Sequence, residues 1–523
     1  MTFVEMGIER KGRTLIYAVL FLLLSGTSID LSAQVDTEFW FVVPEISHRG
    51  ATGGKPGTMR FATLELAATV TIEMPANPSF TPIVLSIPAN GDAAVDLSYL
   101  IDDITSPGIT GLENKPLTAN GINPFGLHIT ATNMINAYWE VNYIYGADIW
   151  SLKGSNGLGT LFYTPFQTEY PNHLTVGAPS YSAIDVVATQ DNTMLTFTLP
   201  DMVGASFGQP MTNLAGTTPG RIINIGPLRK GETFSLFPYM KSVLTADKLA
   251  GTKIESTFPI AVTLKDDNLN TASQGRSTIG DQIVPVDIAG DTYVVPAMGF
   301  PNLTFVVATQ DNTDIYIDDS LYATLDEGEQ VRIQSPNNQI IVISSKNNIS
   351  APPGPPVYVW HMALNNMTRA AALLPPIGCT GNTQLAFSRA REAVREKFYF
   401  FLITENENID NFMIDGAPAD PTIIPDDITK WERLGNGWSA YMTANIPASK
   451  LAIGQHLVEN SGGIFHLAVI NGFTSANLGD MFYGYFSDYG GLNVGAVVAG
   501  TNSSVVRACD GTPVQLSAYG GTY

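Results

Sequence analysis

Gly204-Ala-Ser-Phe-Gly208 matches the G-x-S-x-G pattern that in hydrolases lifts a serine onto a strand-to-helix elbow. Ser206 here lies in a Gly-, Pro- and Thr-rich stretch, 201–226, with no helical pattern after it, so the plain reading is a loop serine. Asp266-Asp267-Asn268-Leu269-Asn270 alternates oxygen donors as a calcium loop does, with Asp281 close behind. Thr271 and Ser277 stand where the turn glycine and the bidentate glutamate of such a loop belong. Asp266, Asn268, Asn270 and Asp281 are therefore the candidate metal ligands, for calcium, set against a solvated acidic loop; no other cofactor is expected. His48, His128, His173, His361, His456 and His466 are scattered without an H-E-x-x-H pair, which argues for core or surface histidines rather than zinc. Asp102-Asp103, Asp318-Asp319 and Asp426-Asp427 read as turn acids, although two carboxylates meeting across a cleft would serve a glycosidase.

Two groups could hold a sugar. Arg389, Arg391, Arg395 and Lys397 form a basic cluster in which paired guanidinium contacts would grip acidic-sugar carboxylates. Glu392 and Glu396 offset it, so a solvated helix face competes. Phe482, Tyr483, Tyr485, Phe486 and Tyr489 could stack on sugar rings. Strand alternation sends the two phenylalanines to one face and the tyrosines to the other, so half of the run belongs to a core. Arg389, Arg391, Arg395, Tyr483 and Tyr485 are the candidate ligand residues, and no catalytic residue is assigned.

The elements that must carry these residues are strands. Leu64, Leu66, Ala68, Val70, Ile72 and Met74 alternate with polar neighbours over 60–74, which predicts one strand with one buried face. Short alternations recur at 195–199, 260–264, 315–317 and 331–333 between Gly, Pro, Asn and Asp, the pattern of all-β hairpins. Only 388–396 and 242–250 look helical. The 523 residues are 45% hydrophobic and 14% charged, enough for a packed core in about three or four domains. A net charge of −21 repels phosphate backbones and anionic lipid, which excludes nucleic acid as a partner. Cys379 and Cys509 are too few for a disulfide framework.

The octamer VVATQDNT occurs at 186–193 and again at 306–313, identical throughout. Each copy leads to a Gly-Glu step, Gly231-Glu232 before TFSLF and Gly328-Glu329 before QVRIQ. Val-Val-Ala reads as a buried strand and Gln-Asp-Asn-Thr as its turn. A fainter third copy begins at 398–416. LHITATNMINAYW at 127–139 and TKIESTFPIAVTL at 252–264 read as the returning strand of the same unit. An interval of about 120 residues fits a β-sandwich rather than a solenoid repeat. The expected fold is all-β, several β-sandwich domains in series: 34–170, 171–290 (first repeat), 291–395 (second repeat) and 396–505 (third).

Arg10, Lys11 and Arg13 precede an apolar run from Leu15 to Leu24, with small residues near Ala33. This predicts a signal peptide over 1–33, because ten apolar residues fall short of the roughly 20 that span a bilayer. The chain is thus expected to be exported, secreted or at the cell surface, with no integral membrane segment after cleavage.

The opening Asp36-to-Glu45 strand, DTEFWFVVPE, resembles the start of the domain named from the N-terminal region of the IgG Fc-binding protein of mucus. HITAT at 128–132, Gly251-Thr252-x-Ile254 with Pro259-Ile260-Ala261-Val262, GDQIVP at 280–285, LPPIGCTG at 374–381 and YGYFSDYG at 483–490 resemble segments of its branch in secreted proteins of gliding bacteria. The likeness spans roughly 36–500 and rests on strands and turns. Residues 509–523 are similar to the first strands of a PKD or Ig-like module, so 506–523 is expected to be its truncated start. The resemblance implies that Cys509 pairs beyond Tyr523 and that Cys379 is a free thiol. It implies, too, a longer protein with a type IX sorting domain. The function expected from all this is adhesion or recognition of an extracellular glycan, mucin or protein, without catalysis. A secreted carbohydrate-active hydrolase and a structural spacer are the alternatives.

Overall fold

A computed structural model of the chain describes residues 35–46, 57–101, 111–114, 121–141, 147–172, 174–175, 178–200, 222–237, 248–270, 276–297, 302–336, 338–347, 354–364, 368–378, 380–389, 397–435, 437–472 and 481–489. Every described element longer than four residues is a β-strand. The fold is all-β, with several sandwiches. The expected signal peptide, Ser206, His48, His173, Arg391, Arg395, both cysteines and the PKD-like start lie outside the described residues.

Strand pairing groups the elements into four units. The first holds β1 (Val35–Pro44), β2 (Gly57–Thr63), β3 (Ala68–Glu73), β4 (Ile83–Ile87), β5 (Asp92–Asp96), β6 (Glu113–Asn114), β8 (Gly126–Val141) and β9 (Asp148–Ser151). The second takes β7 (Ile122–Asn123) from the chain before β8 and holds β10 (Leu158–Tyr163), β11 (Leu174–Thr175), β12 (Ala178–Pro179), β13 (Ser182–Ala188), β14 (Thr193–Thr198), β15 (Ile222–Leu228), β16 (Thr233–Leu236), β17 (Lys253–Asn270) and β18 (Arg276–Ile283). The third holds β19 (Thr292–Val295), β20 (Asn302–Ala308), β21 (Thr313–Ile317), β22 (Ser320–Leu325), β23 (Gln330–Ser335), β24 (Ile341–Lys346), β25 (Val357–Leu364) and β26 (Arg369–Leu373). The fourth holds β27 (Gln384–Arg389), β28 (Lys397–Glu405), β29 (Phe412–Ile414), β30 (Ala417–Pro418), β31 (Glu432–Gly435), β32 (Trp438–Met442), β33 (Gly454–Asn460), β34 (Phe465–Gly472) and β35 (Met481–Tyr485).

One antiparallel scheme recurs in all four. A central strand pairs with the strand entering after a tight turn and with the returning strand: β2 with β5 and β8, β13 with β16 and β17, β20 with β23 and β25, β28 with β32 and β34. The next strand pairs with its hairpin partner and with the earlier part of the return: β3 with β4 and β8, β14 with β15 and β17, β21 with β22 and β24, β29 with β30 and β33. In the first two units the return is one long strand, β8 or β17, that passes from one sheet to the other. In the last two it is split in two.

The octamer shows why its residues are fixed. Val186, Val187 and Ala188 are buried, as are Val306, Val307 and Ala308. Asn192 and Asn312 take the left-handed conformation, at φ 64° and 55°, which Asn adopts at low cost. The Asp191 carboxylate accepts the Lys230 N–H at 2.9 Å and the Asp311 carboxylate accepts that of Glu327 at 3.0 Å, so each turn anchors the next strand's entry. Asp318-Asp319 and Asp415-Gly416, all at positive φ, give the β21–β22 and β29–β30 hairpins their type I′ turns.

Three sequence expectations change in the structure. Residues 60–74 form two strands, because the chain turns at 64–67 and leaves Leu66 63% exposed. Ser388 and Arg389 end strand β27 rather than opening a helix. Leu158–Tyr163 pairs with β17 and Gln384–Arg389 with β33, so the pairing gives both strands to the unit that follows the one in which the sequence placed them.

The units pack head to tail, and the fourth returns to the first. Gly126 donates to the Gly231 carbonyl at 3.0 Å between units one and two. The Gln330 amide exchanges hydrogen bonds with the Phe166 backbone at 2.9 and 3.1 Å between two and three. Strands β25 and β26 of unit three share a core with β28, β34 and β35 of unit four. The Ser388 hydroxyl donates to Asp92 at 2.8 Å between four and one. A ring closed this way covers both faces of the central strands, which is why β13 and β20 are buried at all seven positions and read as continuous apolar runs.

Candidate functional site

The candidate calcium ligands are dispersed by the β17–β18 pairing. Asp266 is buried and accepts from Lys248 Nζ at 2.6 Å, Asn172 Nδ2 at 2.7 Å and Gln167 Nε2 at 2.6 Å. Asn268 sits at φ 47° and donates to Ser180, while Asn270 is exposed. Asp281 pairs instead with Lys153 Nζ at 3.1 Å. Lysines therefore supply the positive charge that a calcium ion would bring to both aspartates. Among the described residues no group of three His, Cys, Asp or Glu side chains is placed to hold a metal.

The ligand candidates are also inside. Arg389 is buried, its guanidinium 4.6 Å from the Phe398 ring centre and donating to the Leu451 carbonyl at 2.7 Å; burial lowers its pKa. Tyr483 and Tyr485 are fully buried in a core shared by the third and fourth units, and Phe482 and Phe486 lie in another. Neither tyrosine offers a face to a ligand. The sequence allowed one buried face to this strand; the neighbouring unit covers the second.

Those residues build a polar hub where the last strands of the units, β9, β18, β26 and β35, meet. Each pairs on one side only, so each brings unpaired backbone donors to the centre. Asp148 accepts from the N–H groups of Ile149 at 3.0 Å, Ala371 at 3.2 Å and Tyr483 at 3.3 Å. Asp281 accepts from Ser151 at 3.1 Å, Gln282 at 2.9 Å and Leu373 at 3.2 Å. Burial raises the Asp148 carboxyl well above its usual range; it also pushes Asp281 up and Lys153 down, against the pull of their pairing. His361 donates to or accepts from the Tyr483 hydroxyl at 2.8 Å, and burial pushes its pKa down to about 3. The hub's carboxylates are buried, and each accepts bonds from other units.

Open concave surface is found on the first unit. Where the third and fourth units join the two hairpin strands by two residues, the first spans Pro75 to Pro82 between β3 and β4. That stretch, the segment after β5 and the lead into β8 enclose a cavity of about 400 Å³, within the usual size of ligand pockets. Asn77, Ser79, Phe80, Thr81, Tyr99 and Phe125 are among its walls. Its loop is held in shape by Asn77 N–H to Met74 O at 3.0 Å, Phe80 N–H to Asn77 O at 3.1 Å and Ser79 N–H to Asn77 Oδ1 at 3.1 Å. On β8 of the same unit, His128 bridges Glu38 and Glu73 at 2.9 and 2.8 Å and stacks on Trp40. The sequence signal was there in three prolines and an Asn within eight residues, a built loop rather than a hairpin. A second cavity, about 310 Å³, lies at the junction of units three and four beside Lys430 and Glu432.

A profile of the family described as IgGFc binding protein matches residues 150–470, more than half of the 523. The chain belongs to that family. The match begins in β9 and ends in β34, so it takes in the second and third units and most of the fourth, whereas the 400 Å³ cavity of this IgGFc-binding family member lies outside it. No match is found among the curated proteins. Among solved structures, trypsin-activated alpha-2-macroglobulin from Escherichia coli is 10% identical, with 88% of this chain and 42% of that one covered and a TM-score of 0.14. Salmonella alpha-2-macroglobulin reacted with methylamine is 11% identical, with coverages of 87% and 40% and a TM-score of 0.11. The chain thus spans less than half the length of those proteins, and TM-scores so low define no shared fold. Among the described residues no helix is long and apolar enough to cross a membrane.

Proposed function

We propose that this IgGFc-binding family member is an exported recognition protein that binds an extracellular protein or glycan and does no chemistry on it. The family match over 150–470 carries the reading. The allocation of polar groups supports it: the buried acids Asp148, Asp266 and Asp281 are each engaged by backbone donors or a lysine. A rigid ring of sandwiches with surface loops is a scaffold for contact. The charged run before Leu15 and the apolar run after it support export.

The test is saturable binding of the purified chain to immobilised mucin glycoproteins, to IgG Fc and to a glycan array at physiological salt. Binding to at least one class with a Kd in the micromolar range or below, roughly −8 kcal/mol, is the expected result. Absence of binding in all three would leave the spacer reading, and turnover of chromogenic glycosides the hydrolase.

A further inference from the structure

In the second unit we infer an intramolecular amide cross-link between Lys248 and Asn172, formed by the chain itself with Asp266 as its proton carrier. The three side chains meet where the stretch after β10 and the segment before β17 reach β17 itself. Lys248 Nζ donates to Asn172 Oδ1 at 2.8 Å and to Asp266 Oδ1 at 2.6 Å. The same carboxylate oxygen accepts from Asn172 Nδ2 at 2.7 Å, so an amine, an amide and an acid close a triangle of contacts. The Lys248 and Asp266 side chains are 3% and 2% exposed, and Asn172 is buried with them. Gln167 Nε2 donates to the other oxygen of Asp266 at 2.6 Å, and the Asn172 amide is fixed by the Asp267 carbonyl at 2.6 Å. The repeat does not call for an acid here. Val186 pairs with Val262 and Val306 with Val359, so by register Ala363, in an apolar core, holds in the third unit the place of Asp266 in the second.

These are a nucleophile, an electrophile and a general acid–base in mutual reach. Cγ of Asn172 lies one C=O bond beyond Oδ1, which puts it within about 4 Å of Nζ, near the roughly 3–3.5 Å of an attack geometry. Proton transfer from the Lys248 ammonium to Asp266 across their contact frees the amine lone pair and exchanges two buried charges for none. The lone pair then bonds to Cγ while the carbonyl π pair moves to Oδ1. Asp266 gives its proton to Nδ2 and takes one from Nζ. The pair on Oδ1 restores the carbonyl, the Cγ–Nδ2 bond breaks and ammonia leaves. One amide replaces another, so the step needs no oxidant, reductant or cofactor. Burial keeps out the water that would compete as nucleophile. The new bond closes the chain from 172 to 248 into a loop that holds β11 to β16 and the first octamer, and it stabilises the unit by restricting its unfolded form.

The experiment is tryptic mapping of the purified, denatured chain by mass spectrometry. Trypsin is expected to release 154–221 joined to 242–253, with Lys248 uncleaved and the mass one ammonia below the sum of the two peptides. Separate 154–221 and 242–248 overturn the inference. Lys248→Met and Asp266→Asn are both expected to give unlinked peptides, and a cross-link that survives Asp266→Asn overturns the role of that acid. The wild-type map decides on the bond even where a variant does not fold. Asn172→Leu removes the electrophile and keeps the side-chain volume. It should melt below wild type and run more slowly on a denaturing gel, because only the linked chain keeps a closed loop; identical mobility counts against the loop.

Discussion

Lys153 and Asp281, on different units, pair at 3.1 Å with neither side chain more than 1% exposed. The pair ties the end of the first unit to the last strand of the second, and Asp281 passes the link on to Leu373 in the third. Removing one member strands a charge in the interior. Lys153→Met or Asp281→Leu is expected to cost about 3–5 kcal/mol, whereas the double variant should recover much of that. Urea unfolding of the four proteins measures it; additive losses would show that the pair is not coupled.

His361 gives the hub one group that titrates differently in the folded and unfolded chain. Its folded pKa is pushed down to about 3 against an ordinary 6.5. Above pH 6.5 the residue is neutral in both states and its contribution is complete. As pH falls from 6.5 toward 3 only the unfolded chain takes up the proton, so stability drops by about 1.4 kcal/mol per pH unit from this group. His361→Gln should flatten the melting-temperature profile across that window relative to wild type. Parallel profiles would mean that the imidazole is hydrated enough to protonate in place.

The repeated turn offers a matched pair of sites. Asn192 and Asn312 are exposed residues at positive φ, so backbone conformation alone explains them. Gly at either position should leave stability within about 0.5 kcal/mol, and Val should cost about 1–2 kcal/mol, by thermal melts. A large loss on Asn312→Gly would reveal a side-chain role that the turn does not show.

These turns were legible because their information is local. Alternation and the octamer revealed all-β structure, and the two return strands were visible as β8 and β17. The 60–74 stretch misled since apolar alternation runs on through a turn that exposes Leu66. Arg389 reads as part of a solvated helix face until the structure ends a strand with it and Phe398, from the next strand, covers it. Ring closure was invisible for a different reason. It rests on backbone donors such as Ala371 and Tyr483 meeting Asp148 across 223 and 335 residues, and backbone donors have no sequence signature.

Ring closure itself can be tested at Gly280, in β18. A Cβ there would run into the Trp150 indole and the Leu264 carbonyl, the two partners of a 3.0 Å hydrogen bond that joins the first unit to the second. Neither can retreat, since the indole is fully buried and the carbonyl belongs to β17. Gly280→Ala is therefore expected to cost about 1–3 kcal/mol, more than an alanine in an ordinary strand would. The damage should be directional. Hydrogen exchange should rise first in β9 and at the Trp150 indole, and only later in β28 and β34 of the fourth unit, which bond each other through eight paired residues. Uniform acceleration throughout the chain would instead show that the four units unfold as one.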